Sequence, residues 1–545
     1  TTAHAGNATF ADNAKAIFGA GSDLEIYHDA SNSYIKENGT GNLFLQTNGT
    51  AITIEKTDGT NLAVFNAGNG VVSLYHDGTE KLATASGGVS ITGDIGAATA
   101  TISGAATAGT INGVGISSGI TNFTGSILIS NDAGTGTLNS ALNNTGLGYE
   151  VFDDLTSGDS NTAVGYRAMT KITSAADNVA MGQASLDAMT TGSNNVAVGV
   201  NTLTALTTAS NNTAIGHKSL EANTTGANNV AVGANALDAN TTGGENTAVG
   251  YQSLSTATTV DNNTAFGYTT LRDNTSGSSN LAVGVNTLRL NTTASNNTGL
   301  GAFVLDVNTT GASNTGVGSG ALGANTTADN NTAVGTSALS ANTTGASNVA
   351  VGANALDANT TESKIVAVGA SALTANTTGT NGVAVGADAL KANTTGDFNT
   401  GIGFGALEAN TTAANNTAVG FTALAANTTG YNNVAVGSTS LDANTTGEHN
   451  NAIGYNSLGL NTTGGNNHGF GANALAANTT GGQNIAIGRN ALLVNTTASN
   501  NVGVGHASLT ANTTGTRNNA LGSISLDANT TGSYNSAFGY SSLSS

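Results

Sequence analysis

The chain has 545 residues, a net charge of −19 with only 13 Lys and Arg, and neither Cys nor Pro. So few cations exclude a nucleic-acid partner, which needs a basic stripe against phosphate, and the missing Cys excludes disulfides and thiolate metal sites. No apolar run approaches the roughly 18 residues of a membrane-spanning helix, and the absence of the roughly 27 prolines of ordinary usage fits a chain made mostly of internal strands.

Residues 1–94 form a β-rich region with an internal duplication. Ile17-Phe18-Gly19-Ala20-Gly21 and Ile26-Tyr27-His28-Asp29 are echoed 47 to 48 residues later by Val64-Phe65-Asn66-Ala67-Gly68 and Leu74-Tyr75-His76-Asp77. Alternating runs such as Asn42-Leu43-Phe44-Leu45-Gln46 and Ala51-Ile52-Thr53-Ile54-Glu55, broken by Asn-Gly and Asp-Gly, predict strands and hairpins. Residues 95–140 are rich in Gly, Ala, Thr and Ser, with Ile95, Ile102, Ile111, Ile116, Ile120 and Ile127 irregularly spaced. The frequent β-branched residues favour a thin shaft of short strands over a flexible linker.

Residues 141–545 are a repeat array. A glycine recurs every 17 residues from Gly148 to Gly539, giving 24 copies without a slip. A register kept this strictly means that each copy sits on the one before it, which predicts an all-β parallel solenoid. With the periodic Gly as position zero, the consensus is Gly-x-x-Ala-Leu-x-Ala-Asn-Thr-Thr-Gly-x-Asn-Asn-Thr/Val-Ala-Val, nearly whole at Asn228 to Gly243.

Position −1 is always apolar, and position +4 is Leu in every copy but the first two, which carry Phe152 and Met169. Alternation in an extended chain then puts Leu at +4 and Ala at +6 inside, with the variable +5 outside. Each coil is expected to hold two short strands, Asn-Thr/Val-Ala-Val-Gly and Ala-Leu-x-Ala-Asn. The expected core includes Val232, Leu237, Ala239, Val249, Leu254, Val334 and Leu339. Gly216, Gly233 and Gly250 are expected at coil corners, where left-handed backbone is tolerated. At about 4.8 Å per parallel strand the array should rise roughly 115 Å.

Asn holds position +7 from Asn274, Asn291, Asn308, Asn325 and Asn342 onward to Asn529, and position −4 everywhere except Ile365 and Gly382. Stacked amides that hydrogen-bond from coil to coil explain this better than N-glycosylation, although Asn-Thr-Thr fits the acceptor pattern. The strand Ala, or Gly in its place, is always small and the Val after it always larger. Either Val faces inward, or the small residue does and Val forms an apolar seam along the rod. A seam of that extent favours association of copies, and a parallel trimer is the expectation.

Asn-Val-Ala-Val-Gly at Asn195 to Gly199, Asn229 to Gly233 and Asn433 to Gly437 resembles the head repeats of trimeric autotransporter adhesins. That resemblance implies trimers of left-handed parallel β-rolls; the match covers the peptide and not the coil length, and the family's stalk and anchor are missing. A wider resemblance, to tail-fibre proteins of marine bacteriophages, rests on Phe18 to Asp29, on Leu74 to Leu82 and on Asn161 to Tyr166 with the Asn-Thr-Thr-Gly coils. It implies a trimeric virion fibre that contacts other tail proteins and binds a glycan or protein receptor on the host surface. In some such fibres a C-terminal chaperone domain is cut away, which would fit the stop at Ser545. The alternative is a cell-surface or extracellular adhesive filament.

No catalytic set stands out: the sequence has no nucleophile elbow, phosphate-binding loop or zinc-protease helix. No enzyme activity, cofactor or metal site is expected. His28 and His76 read as polar strand positions, and His217 and His506 as variable +1 positions. Thr at +8 and +9 would point to opposite faces, a poor plane for ice binding. Thr361-Glu362-Ser363-Lys364-Ile365 is the one conspicuous break in the array and reads as drift more than as a contact patch.

Overall fold

The computed structural model describes residues 6, 8–85, 88–92, 109–111, 114–118, 126–130 and 138–544. It is all-β, with no helix among the described residues. The chain falls into two compact units, 1–103 and 104–545. Ile95, Ile102 and Ile120 of the expected shaft lie outside the described residues.

The first unit holds two antiparallel meanders. One is β1 (Lys15–Phe18), β2 (Leu24–His28) and β3 (Ser33–Glu37). The other is β4 (Ala51–Glu55), β5 (Asn61–Asn66), β6 (Val72–His76), β7 (Thr79–Ala85) and β8 (Gly88–Ile91). The duplication in sequence is a duplication in structure, because β2 and β6 share the same residue-by-residue burial. Asp77 and Gly78, both left-handed, make the two-residue turn from β6 to β7. In the β2–β3 turn Asp29 Oδ1 accepts from the N–H groups of Asn32 and Ser31 at 2.7 and 3.0 Å, which holds its carboxyl below the usual range.

The second unit begins with β9 (Gly109–Ile111), β10 (Val114–Ser118) and β11 (Ile127–Ser130), paired antiparallel. β11 then pairs parallel with β12 (Thr145–Leu147), the first coil strand. One three-residue strand per coil follows at positions −3 to −1, up to β35 (Ser536–Phe538), each parallel to its neighbours and in strict 17-residue register. The result is a parallel β-solenoid of 24 coils.

The expected second strand is absent. Positions +2 and +4 are left-handed, as at Asn235 (φ 55°) and Leu237 (φ 51°), so the segment is a compact turn. In a turn, neighbours need not point to opposite faces: Ala236 at +3 and Leu237 at +4 are both fully buried, whereas Ala239 at +6 is half-buried. A left-handed Leu costs about 1–2 kcal/mol. Enclosing its side chain returns about 2 kcal/mol, and its N–H donates to the next coil, Leu237 to Ser253 O at 3.0 Å.

The strand faces the other way from the expected core. Ala231, Ala248 and Ala333 are fully buried, while Val232, Val249 and Val334 are half-buried on the outer face. Inner volume decides this. Leu237, Leu254 and Leu339 already fill the coil, which leaves room for a methyl group at −2 and nothing larger. The six coils with Gly at −2 carry the same rule further. A Cβ on Gly316 would come 2.5 Å from Val304 Cγ1, the enlarged +3 residue of the coil before it.

Candidate functional site

Three sets of residues run along the solenoid: the corner glycines, the asparagine ladders and the outer face of the strands. Gly216, Gly233 and Gly250 adopt φ of 129°, 136° and 136°. A Cβ on Gly216 would meet Gly233 O at 2.6 Å. Gly is therefore required twice over, by backbone conformation and by contact with the next coil's backbone.

The asparagines are interior. Asn274, Asn291, Asn308, Asn325 and Asn342 are fully buried, and from Asn291 onward each of these Nδ2 groups donates to Oδ1 of the Asn one coil back: Asn291 (3.0 Å), Asn308 (3.1 Å), Asn325 (2.8 Å) and Asn342 (3.0 Å). The same nitrogen also donates to the +10 carbonyl of its own coil, Asn308 to Gly311 O at 2.9 Å. The row at −4 is wired differently. There, Oδ1 of Asn229 accepts both the backbone N–H (3.0 Å) and the Nδ2 (3.2 Å) of Asn246. With the amides enclosed and paired, a glycan on these nitrogens has no room in the folded coil.

The first four coils replace the +7 amide with Leu155, Ile172, Met189 and Leu206, all fully buried. At Ala257 the ladder is interrupted, and Val260 at +10 fills the corner instead. Asn240, just before that interruption, keeps an Oδ1 with no partner.

The outer face carries the row at −1, apolar in all 24 coils and half-buried or exposed in every one. Its larger members include Met181, Ile215, Phe266, Phe470, Ile487 and Phe538, with Phe266 at 54% exposure. Beside it, the +1 row stacks aromatic rings between adjacent coils: Tyr149 on Tyr166 (centroids 5.7 Å), Tyr251 on Tyr268 (5.6 Å) and Phe404 on Phe421 (5.6 Å). His217 and His506 occupy this same row.

The chain matches no family model, no curated protein and no solved structure. Among the described residues no three His, Asp or Glu converge on a point where a metal could sit. His28 Nδ1 lies 3.2 Å from Ser33 Oγ, and His76 lies beside Asp77 on the exposed β6–β7 turn. The carboxyls of Asp238 and Asp442 at +5 are pushed up by burial. Lys15 and Glu25 pair at 2.8 Å across β1 and β2, which lowers the carboxyl and raises the amine. An open hollow of about 470 Å³ near Leu45, Ile52, Phe65 and Val72 has a mixed apolar and amide lining with no ionisable group. The Thr at +8 donates its hydroxyl to the next coil, Thr224 Oγ1 to Thr241 O at 2.9 Å. No helix among the described residues is long and apolar enough to cross a membrane.

Proposed function

We propose that this chain is a structural fibre of a phage virion, a rigid spacer and host-surface adhesin built as a parallel homotrimer. The observation that supports this reading is the uninterrupted outward apolar row at −1. Each coil encloses its own Leu and Ala, so the row is spare: it adds nothing to the interior of a single chain. A row running the length of the array exceeds the few hundred Å² of apolar surface that a soluble monomer usually shows. Copies side by side would cover it, and a self-complementary repeat suits closed cyclic symmetry. Other tail proteins at the base and a host glycan or protein receptor complete the reading.

Sedimentation equilibrium on the full chain tests it. The expected mass is three times 53.0 kDa. The double substitution Val334→Lys, Val351→Lys, on the outward row, should dissociate the assembly while circular dichroism keeps its β signal. A monomeric mass for the unsubstituted chain rejects the trimer. Tail-component genes beside this one are expected for a virion fibre; secretion and anchoring genes there would favour the extracellular filament.

A further inference from the structure

The amide row at −5 donates to the residue 18 positions earlier in every coil from Ser160 to Tyr534 except one, Asn381. Lys364 before it donates to Ala346 O at 3.1 Å, and Phe398 after it donates to Thr380 O at 3.0 Å. The next amide is unpaired for a second reason. Ile365 N–H is capped by Asn348 Oδ1 at 3.0 Å, but Ile365 has no carboxamide to pass on. Gly382 N–H is left with no acceptor, and since Gly382 has no side chain either, so is Asn399 N–H. The +7 ladder fails at the same level: Asn359 Oδ1 has no partner, and Asn376 Nδ2 reaches only Gly379 O.

The unpaired pair, Asn381-Gly382, is an Asn-Gly dipeptide. Asn381 is exposed and left-handed, with φ 52°. Asn-Gly is the dipeptide most open to attack of the following amide nitrogen on the Asn side chain, because Gly puts no Cβ in the way. That nitrogen must first be free of hydrogen bonds. The chain has four other Asn-Gly pairs, of which Asn112-Gly113 lies outside the described residues. In the remaining three the glycine N–H is held: Gly39 by Glu37 Oε1 at 2.7 Å, Gly49 by Thr47 Oγ1 at 2.9 Å, and Gly70 by Asn66 O at 3.0 Å.

We infer that Asn381 is a site of spontaneous deamidation, built into the middle of the solenoid by the loss of two asparagine rungs. Gly382 N attacks Asn381 Cγ, and the Cγ–Nδ2 bond breaks with release of ammonia. The succinimide that results takes up one water and opens to a carboxylate, through either carbonyl. One product is aspartate. The other is isoaspartate, which runs the backbone through the side chain and lengthens it by one methylene. Water reaches the ring from the exposed side of Asn381.

The consequence is local. Lys364 holds the same −5 position one coil earlier, with its backbone one strand spacing, about 4.8 Å, from that of Asn381. An aged fibre gains a negative charge at this level. In the isoaspartyl form it also carries a longer backbone in a coil that already lacks inter-coil bonds at Asn381 and Gly382.

The full chain is aged at mildly alkaline pH and digested, and each Asn-Gly peptide is quantified by mass spectrometry, with an isoaspartyl-specific methyltransferase as a second readout. Asn381 is expected to convert at least as fast as Asn48, whose glycine is hydrogen-bonded. Ile365→Asn returns an acceptor to Gly382 N–H and should lower the Asn381-to-Asn48 ratio about fivefold, the factor set by one ordinary hydrogen bond. Gly382→Ala, whose Cβ would meet Leu373 at an ordinary 3.6 Å, should nearly abolish conversion while leaving the thermal midpoint in place. Asn381 intact after ageing that converts Asn48, or an unchanged ratio in Ile365→Asn, overturns the inference.

Discussion

Gly216 lies so close to Gly233 that a single Cβ on the first would come 2.6 Å from the carbonyl oxygen of the second. The contact recurs along the array, and it explains why the 17-residue register never slips. A residue inserted anywhere in a coil would move its corner glycine off the one position where backbone meets backbone.

Gly216→Ala should therefore cost far more than an ordinary Gly→Ala change. The new methyl group faces a peptide unit fixed by inter-coil hydrogen bonds, at a φ of 129° that side chains rarely adopt. We expect destabilisation on the order of 3 kcal/mol, seen as a lower urea midpoint. A midpoint shift no larger than that of an exposed Ala→Gly change would show that the corner yields.

The asparagine ladder makes a graded prediction. Asn308 has all its amide groups paired: Nδ2 to Asn291 Oδ1 and Gly311 O, and Oδ1 from Asn325. Asn240 donates twice, but its Oδ1 accepts nothing. Both Ala substitutions should destabilise, and Asn308→Ala by about 1 kcal/mol more, the value of the additional bond. Equal losses measured by chemical denaturation would mean that the ladder contributes by packing and not by hydrogen bonds.

The solenoid and its period were legible because stacking turns each contact into a repeated letter. The Asn rows were legible for the same reason, since a buried amide is satisfied most simply by an identical amide one coil away. The turn at +2 to +4 is not legible in the same way. Leu237 and Ala239 look like the inward residues of an extended chain, and nothing in Ala-Leu-Asp-Ala announces left-handed backbone at Leu237. Left-handed Leu is costly in isolation, and only the closed coil makes it favourable. The facing of Val232 turned on how much volume Leu237 leaves, a three-dimensional quantity. The size of Ala231 was the available clue, because a position that is always Ala or Gly on a strand is a position under steric limit.

Asp238 supplies a pH test. Burial, with Glu221 one coil away adding repulsion, raises its carboxyl pKa, and Oδ1 has no hydrogen-bond partner. A carboxyl whose folded pKa exceeds its unfolded value binds its proton more tightly in the folded state. The resulting penalty is absent below the unfolded pKa of about 3.9 and is complete once pH has risen past the folded pKa. Asp238→Asn should then raise the thermal midpoint near neutral pH and leave it unchanged in acid. A gain of equal size at both ends would assign the effect to side-chain packing instead of charge.

Val304 and Gly316 test the volume rule that orients the strands. At +3 nearly every other coil has Ala, Ser or Thr, and Val304 is accommodated because the facing −2 positions, Gly299 and Gly316, are bare. Gly316→Ala installs the residue found at −2 in most coils, yet here the methyl group would press on Val304 Cγ1. We expect a loss of about 1–3 kcal/mol from overpacking. Val304→Ala in the Gly316 background should also cost stability, because it leaves a cavity beside the glycines. Together the two changes rebuild the array's commonest pairing, so the double variant should recover most of both losses, a coupling of about 1 kcal/mol or more in a double-mutant cycle. Additive losses would show that the two side chains do not share one space, and would reopen the assignment of the small residue to the coil interior.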